Sequence, residues 1–181
     1  LAMKKIRRDM QIIFQDPFGS LNPRHSIEHI IAEPLLVHKY GTYAEIKKRV
    51  LQLLDQVGLP KDSMKLYSHE FSVGQRQRIA IARAIALKPK FLIADEAVSA
   101  LDVSIQSQIL NLISDLVKEY NISMVFISHD LSVIRHISSN IAIMKKGKIV
   151  EMGNTEKVLK QPSHQYTQML ISAVPGLQSN F

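Results

Sequence analysis

Residues 71–78, FSVGQRQR, and the Asp95-Glu96 pair of FLIADEAVSALD, seventeen residues beyond Arg78, constrain the fold more than any other part of this chain. The first is a serine and glycine turn that opens a basic helix. The second is a short apolar run ending in two adjacent carboxylates. A run of that kind, bounded by turns, suits a strand buried inside a parallel sheet. Polar groups at its carboxyl end stand where open α/β sheets bind ligands. The layout fits a nucleoside triphosphate with its magnesium. A second feature is an absence: the 181 residues contain no G-x-x-x-x-G-K-[ST] loop, so the sequence carries half of a phosphate-handling site.

The rest of the chain divides by periodicity. Residues 11–14, QIIF, read as a short strand closed by Gln15-Asp16-Pro17, since proline cannot donate to a sheet ladder. From 27 to 57 the apolar residues recur at helical spacing (Ile30, Ile31, Leu35, then Ile46, Val50, Leu53, Leu54, Val57), and Gly58 with Pro60 marks the stop. The second half alternates. Residues 74–88 predict a helix stopping at Pro89, 91–94 a central strand, and Asp102 the cap of a helix whose apolar stripe runs from Ile105 to Val117. Residues 124–127 predict a strand, 130–138 a short helix, and 141–144 with 148–152 two more strands around Gly147. Such alternation argues for an α/β layered sheet with an all-helical subdomain.

Bulk properties exclude several classes. The length suits one domain with a small appended subdomain. Zero cysteines rule out disulfide frameworks and thiolate metal sites. There is no signal-like stretch near residue 1, and no run approaches the roughly 18 apolar residues of a membrane span. The net charge of +7 is scattered over KKIRR, the KKR of 47–49, the helix that FSVGQRQR opens and KKGK, so it reads as solvated faces and local phosphate contacts. Nucleic acid is not an expected partner.

Each polar candidate has an ordinary alternative. Asp95 could hold magnesium and Glu96 could polarise an attacking water, or the strand could simply exit into solvent. His129, just past a neighbouring strand, could contact a terminal phosphate; lone loop histidines are more often structural. Gln15 could reach metal or water, or be an exposed loop residue. Ser72, Gly74 and Gln75 open a helix whose N-terminus is an anion site or merely a capped end.

Taken in order, these elements resemble the nucleotide-binding subunits of ABC transporters over nearly the whole chain. IIFQDPFGSLNPR looks like the family's Q-loop, FSVGQRQR its signature motif, FLIADE its Walker B strand, SALD its D-loop and ISHD its switch histidine. The sixty residues between Gln15 and Gln75 fit the transporter-type helical subdomain. QDPFGSLNPR, ALDVSIQSQIL and the terminal PSHQYTQMLISAVP resemble the oligopeptide and dipeptide importers, wording that nickel importers share. The resemblance implies a partial RecA-like, ABC-type sheet. It divides the chain into the last strand of the N-terminal part with the Q-loop (1–15), the helical subdomain (16–75), the core with Walker B, D-loop and switch histidine (76–160), and an importer-type extension (161–181). It implies ATP and Mg²⁺ at a head-to-tail interface with a second ATP-binding subunit, on permease subunits at the cytoplasmic face of the membrane. Asp95 and Gln15 would serve the metal and Glu96 would be the general base. His129 would meet the γ-phosphate, and Ser72, Gly74, Gln75 and Asp102 would line the nucleotide site.

Two departures stand out. Only fourteen residues precede Gln15, so the P-loop, its lysine and the adenine-stacking aromatic are expected upstream; a start at Leu1 fits a fragment, and strands flanking 91–94 are expected to be missing. Val73 stands where the signature usually has its first glycine, and a β-branched residue resists positive φ and crowds the phosphate approach. Ala97 replaces a common proline. The competing reading is a non-catalytic remnant or docking module that contacts the permease or lends its signature face to an intact ATPase. A DNA-maintenance ATPase is set aside because the Gln15–Gln75 gap leaves no room for coiled-coil arms.

Overall fold

The computed structural model describes residues 2–174; Leu1 and residues 175–181, the end of the expected extension, lie outside it. One compact unit runs to Ile127 and a second begins at Ser128. The elements of the first are helix α1 (Ala2–Asp9), strand β1 (Met10–Ile13), the single turn α2 (Pro17–Ser20), helices α3 (Ile27–Val37), α4 (Tyr43–Gln56) and α5 (Val73–Ile85), strand β2 (Phe91–Asp95), helix α6 (Val103–Glu119) and strand β3 (Ser123–Ile127). The second holds α7 (Leu131–Ile137), β4 (Asn140–Lys145), β5 (Lys148–Asn154), α8 (Thr155–Lys160) and α9 (Gln165–Ser172).

The region from 27 to 57 is two helices. Ser26 caps α3, and Thr42 with Glu45 forms a reciprocal capping box that starts α4 anew. α4 ends as its glycine foretells. Gly58 has φ +69, and Leu59 N–H returns to Leu54 O at 2.8 Å, closing the last turn through a left-handed residue. Ile27, Ile31, Leu35, Val50, Leu53 and Leu54 are fully buried between these helices and α5.

α5 stops at Ile85, three residues short of the expected Lys88. Arg49, buried on α4, occupies that end. Its Nε donates to Ala86 O at 3.2 Å and its Nη2 to Ile85 O at 3.3 Å. The guanidinium satisfies the terminal carbonyls, and Lys88 then turns away with φ +51.

β1, β2 and β3 form one parallel sheet in that order, with Ile12 beside Ile93 beside Val125, and Asp95 beside Ile127. β2 is therefore flanked on both sides, which corrects the expectation that its neighbouring strands would be missing. Ile13, Leu92 and Ala94 are buried on the face covered by helices, whereas Val125 and Ile127 on the other face are each 45% exposed. β4 and β5 make an antiparallel hairpin. Its two-residue turn, Lys146 and Gly147, has φ +49 and +76, the mirror-image turn that matches strand twist. In this second unit Glu151 accepts the Ser163 and His164 N–H groups at 2.8 and 3.0 Å, fixing the start of α9.

Candidate functional site

The carboxyl ends of β1 and β2 supply the first cluster. Gln15 lies two residues past β1, and its Nε2 donates to Glu96 Oε2 at 2.7 Å across 81 residues of sequence. Glu96 itself has φ +46, left-handed for a side-chain-bearing residue. That backbone costs about 1 kcal/mol and ends the strand alternation abruptly. It is held by Glu96 N–H to Ile127 O at 3.0 Å, and by Ser99, whose N–H and hydroxyl both donate to Glu96 O at 3.1 and 3.0 Å. Asp95 closes β2 in register with Ile127. The parallel sheet thus brings Gln15, Asp95 and Glu96 to one edge. His129 is exposed, two residues beyond β3, in the unit that begins at Ser128.

The second cluster is the N-terminus of α5. Ser72 Oγ accepts Gln75 N–H at 3.3 Å, and Gln75 Oε1 accepts Ser72 N–H at 3.0 Å. Both side chains are spent on each other's backbone, and Arg76 N–H returns to Ser72 O. Val73 and Gly74 keep N–H groups that no residue of the helix can reach. They open on a cleft of about 330 Å³ whose other wall is Ala100, Leu101, Asp102 and Ile105. Asp102 stands at the cap position of α6, and its backbone carbonyl accepts Gln106 N–H, but its side chain makes no cap hydrogen bond. The expected capping role is therefore carried by backbone alone.

Val73 corrects another expectation. It is the first helical residue of α5 and is absent from the positive-φ residues, so a β-branched side chain is not strained there. Its effect is bulk: the side chain is 36% exposed at the cleft.

Reading the sequence missed Ile105 as part of this wall, because its place in the apolar stripe of α6 marked it as core. It also missed the Gln15–Glu96 contact, which no local pattern encodes.

Comparison with known proteins decides the family. Residues 1–99, more than half the chain, match the ABC transporter family model, and residues 150–180 match the oligopeptide/dipeptide transporter C-terminal region. The chain belongs to the ABC transporter family. Among its relatives, the Pectobacterium atrosepticum "Glutathione import ATP-binding protein GsiA" is 54% identical over 96% of this chain and 28% of its own length. The Bacillus subtilis "Oligopeptide transport ATP-binding protein AppF" is 51% identical over 95% of this chain and 52% of its own. The chain therefore spans about half of one relative and about a quarter of the other. Among solved structures, cbiO1 from Clostridium perfringens, part of the transporter complex cbiONQ, superposes with a TM-score of 0.78 at 30% identity, covering 87% of this chain and 61% of that one. A dimeric ATP-binding cassette in a post-hydrolysis state with ADP and Pi superposes at 0.74, with 30% identity over 85% of this chain and 66% of that one. The three-stranded parallel sheet with its helical insertion is thus part of an ABC ATPase domain. No helix among the described residues is long and apolar enough to cross a membrane.

Proposed function

We propose that this chain is the signature-bearing and Walker B-bearing part of an ATP-binding subunit that energises peptide uptake, peripheral to the cytoplasmic face of the membrane. The observation that carries the reading is the 2.7 Å hydrogen bond from Gln15 to Glu96, which puts a Q-loop amide on the carboxylate proposed as general base. The names of the relatives, peptide and glutathione importers, support the direction and the class of solute. The division of the chain at 15, 75 and 160 belongs to the same proposal.

The residues fit magnesium in one specific way. Among the described residues there is no group of three or more histidine, cysteine or carboxylate side chains able to cage a metal. Magnesium does not need one: one or two oxygen ligands from protein suffice when phosphates and water supply the rest. Asp95 offers a carboxylate, and Gln15 keeps its amide oxygen when its nitrogen bonds Glu96. When bound with ATP, the ion would neutralise charge on the phosphates. Asp95 and Gln15 would hold it and Glu96 would accept a proton from water. His129 would contact the γ-phosphate, and the Val73 and Gly74 N–H groups, with Ser72, Gln75 and Asp102, would close on ATP held by a second ATP-binding subunit. The 181 residues hold no G-x-x-x-x-G-K-[ST] lysine to grip the phosphates, so hydrolysis is expected only where other polypeptide supplies one.

In the full-length protein carrying this sequence, Glu96→Gln should lower steady-state hydrolysis by about 10²–10³-fold with ATP affinity kept within about threefold. Unchanged hydrolysis would overturn the assignment. A second reading, a module that lends its signature face to an intact cassette, is favoured by the cleft between Ser72 and Ile105 being complete within this chain. It predicts Mg-ATP-dependent association of the 181 residues with an intact cassette, and no hydrolysis by them alone.

A further inference from the structure

Gly74 has a neighbour that accounts for it. A Cβ built on Gly74 would lie 2.7 Å from Ile105 Cγ2 on α6, closer than side chains tolerate. Its φ is not in the positive region that Gly58 and Gly147 occupy, so the backbone conformation is not the reason for a glycine here. One turn further along α5, Arg78 meets the same helix: Nη2 donates to Gln108 Oε1 at 3.2 Å while Nη1 donates to Val57 O at 2.8 Å. Residues 74 and 78 share one face of α5, and 105 and 108 share one face of α6. The two contacts therefore form a single seam, and the open end of the seam is the cleft.

We infer that Ile105 is a positioning residue for the signature turn. Its Cγ2 methyl, seated on the bare backbone of Gly74, sets the spacing between the Val73–Gly74 N–H groups and the Asp102 wall. Packed interiors do not absorb an added methyl without displacement. Any side chain at 74 must therefore push α6 and the residues 99–102 that precede it, and removal of the Ile105 methyl must restore the space.

The test is a double-substitution cycle in the full chain. Gly74→Ala should lower the melting temperature by about 2–8 °C, the cost of an overpacked methyl in a chain of this size. In an Ile105→Ala background the same change should leave it level or raise it by about 1–4 °C, because alanine is the better helix former once the space exists. Ile105→Val keeps Cγ2 in the helical rotamer, so Gly74→Ala stays destabilising there. Equal losses in all three backgrounds overturn the seam. Hydrogen exchange separates positioning from general weakening. The Ser99 and Leu101 amides, bonded to Glu96 O and Val98 O, should exchange about tenfold faster in Gly74→Ala and recover in the double variant, with the Ile46 amide on α4 unmoved. Acceleration spread over α4 as well overturns the positioning role.

The functional arm rests on the nucleotide reading above. Mg-ATP-dependent association with an intact cassette should fall at least about tenfold in Gly74→Ala and return in the double variant to within about threefold of Ile105→Ala. Recovered melting and exchange without recovered association would show that the glycine is needed at the ligand, against the positioning role. If the unsubstituted chain shows no association while the melting and exchange results hold, the nucleotide reading falls and the seam stands.

Discussion

Where α4 meets α5, the two helices finish each other. Arg49 of α4 donates to the carbonyls of Ile85, the last residue of α5, and Ala86, its cap, and to Tyr120 Oη at 3.1 Å; Arg78 of α5 donates to the carbonyl of Val57, the cap of α4. On the open face of the sheet, by contrast, Val125 and Ile127 keep 45% of their surface and Met10 keeps 43%. Parallel strands are ordinarily covered on both faces. The helical region carries its own closed core, while the sheet that presents Gln15, Asp95 and Glu96 is half-covered. Stability in this chain should therefore be concentrated away from its chemistry, where local contacts are densest.

The sharpest way to break that contrast is Arg49→Met. The substitution keeps the stem volume but leaves the Ala86 carbonyl and the Tyr120 hydroxyl without their donor, and Ile85 O with the Lys88 N–H alone, in a site that is 5% exposed. Loss of about 2–4 kcal/mol in urea unfolding is expected. Val125→Ala on the open sheet face should cost under about 1 kcal/mol, since much of its surface is already in water. If the two losses came out equal, the sheet would be as tightly held as the helices.

The second unit offers a smaller, pH-dependent test. Burial alone would raise the Glu151 carboxyl; the neighbouring Thr167 side chain, the Ser163 and His164 N–H bonds and the charge of His164 outweigh it and hold the group below the usual carboxylate value of 4.5. A depressed folded value means the contribution is complete above about pH 4.5 and fades as pH falls through the lower folded value. Glu151→Gln should cost about 0.5–1 kcal/mol at pH 7, mostly screened by solvent, and the difference from the unsubstituted protein should vanish in acid. A difference that persists at pH 2–3 would assign the loss to shape.

The layout of the strands and their polar ends was legible because short apolar runs closed by Gln15, Asp95 and Glu96 have little else to become. The breaks within the helices were less legible. Arg49 sits with Ile46, Val50 and Leu53 on one helical face, but in the run KKR its charge pointed to solvent; only the carbonyl ends of α5 make its burial tolerable. Ile105 read as core because periodicity cannot say which apolar residue faces a glycine. The Gln15–Glu96 bond was out of reach, because it joins residues 81 positions apart through sheet register alone. Asp102 and Val73 were judged by residue type, and in both cases the local backbone decided otherwise.

Val73 gives the smallest expected effect and the most direct link between the two regions. Because it is helical, replacing it with glycine relieves no strain; it should cost about 0.5–1 kcal/mol of stability through helix propensity. The same change removes an exposed branched side chain from the mouth of the cleft, beside the Val73 and Gly74 N–H groups. Val73→Gly in the full-length protein should therefore raise ATP turnover by a few fold, about 1 kcal/mol of barrier at most, while lowering the melting temperature by about 2–4 °C. The two shifts have opposite signs, which a change in folded fraction cannot produce. An unchanged turnover with the lowered melting temperature would mean that the branched side chain does not obstruct closure. The cleft would then be set by Gly74 and Ile105 alone.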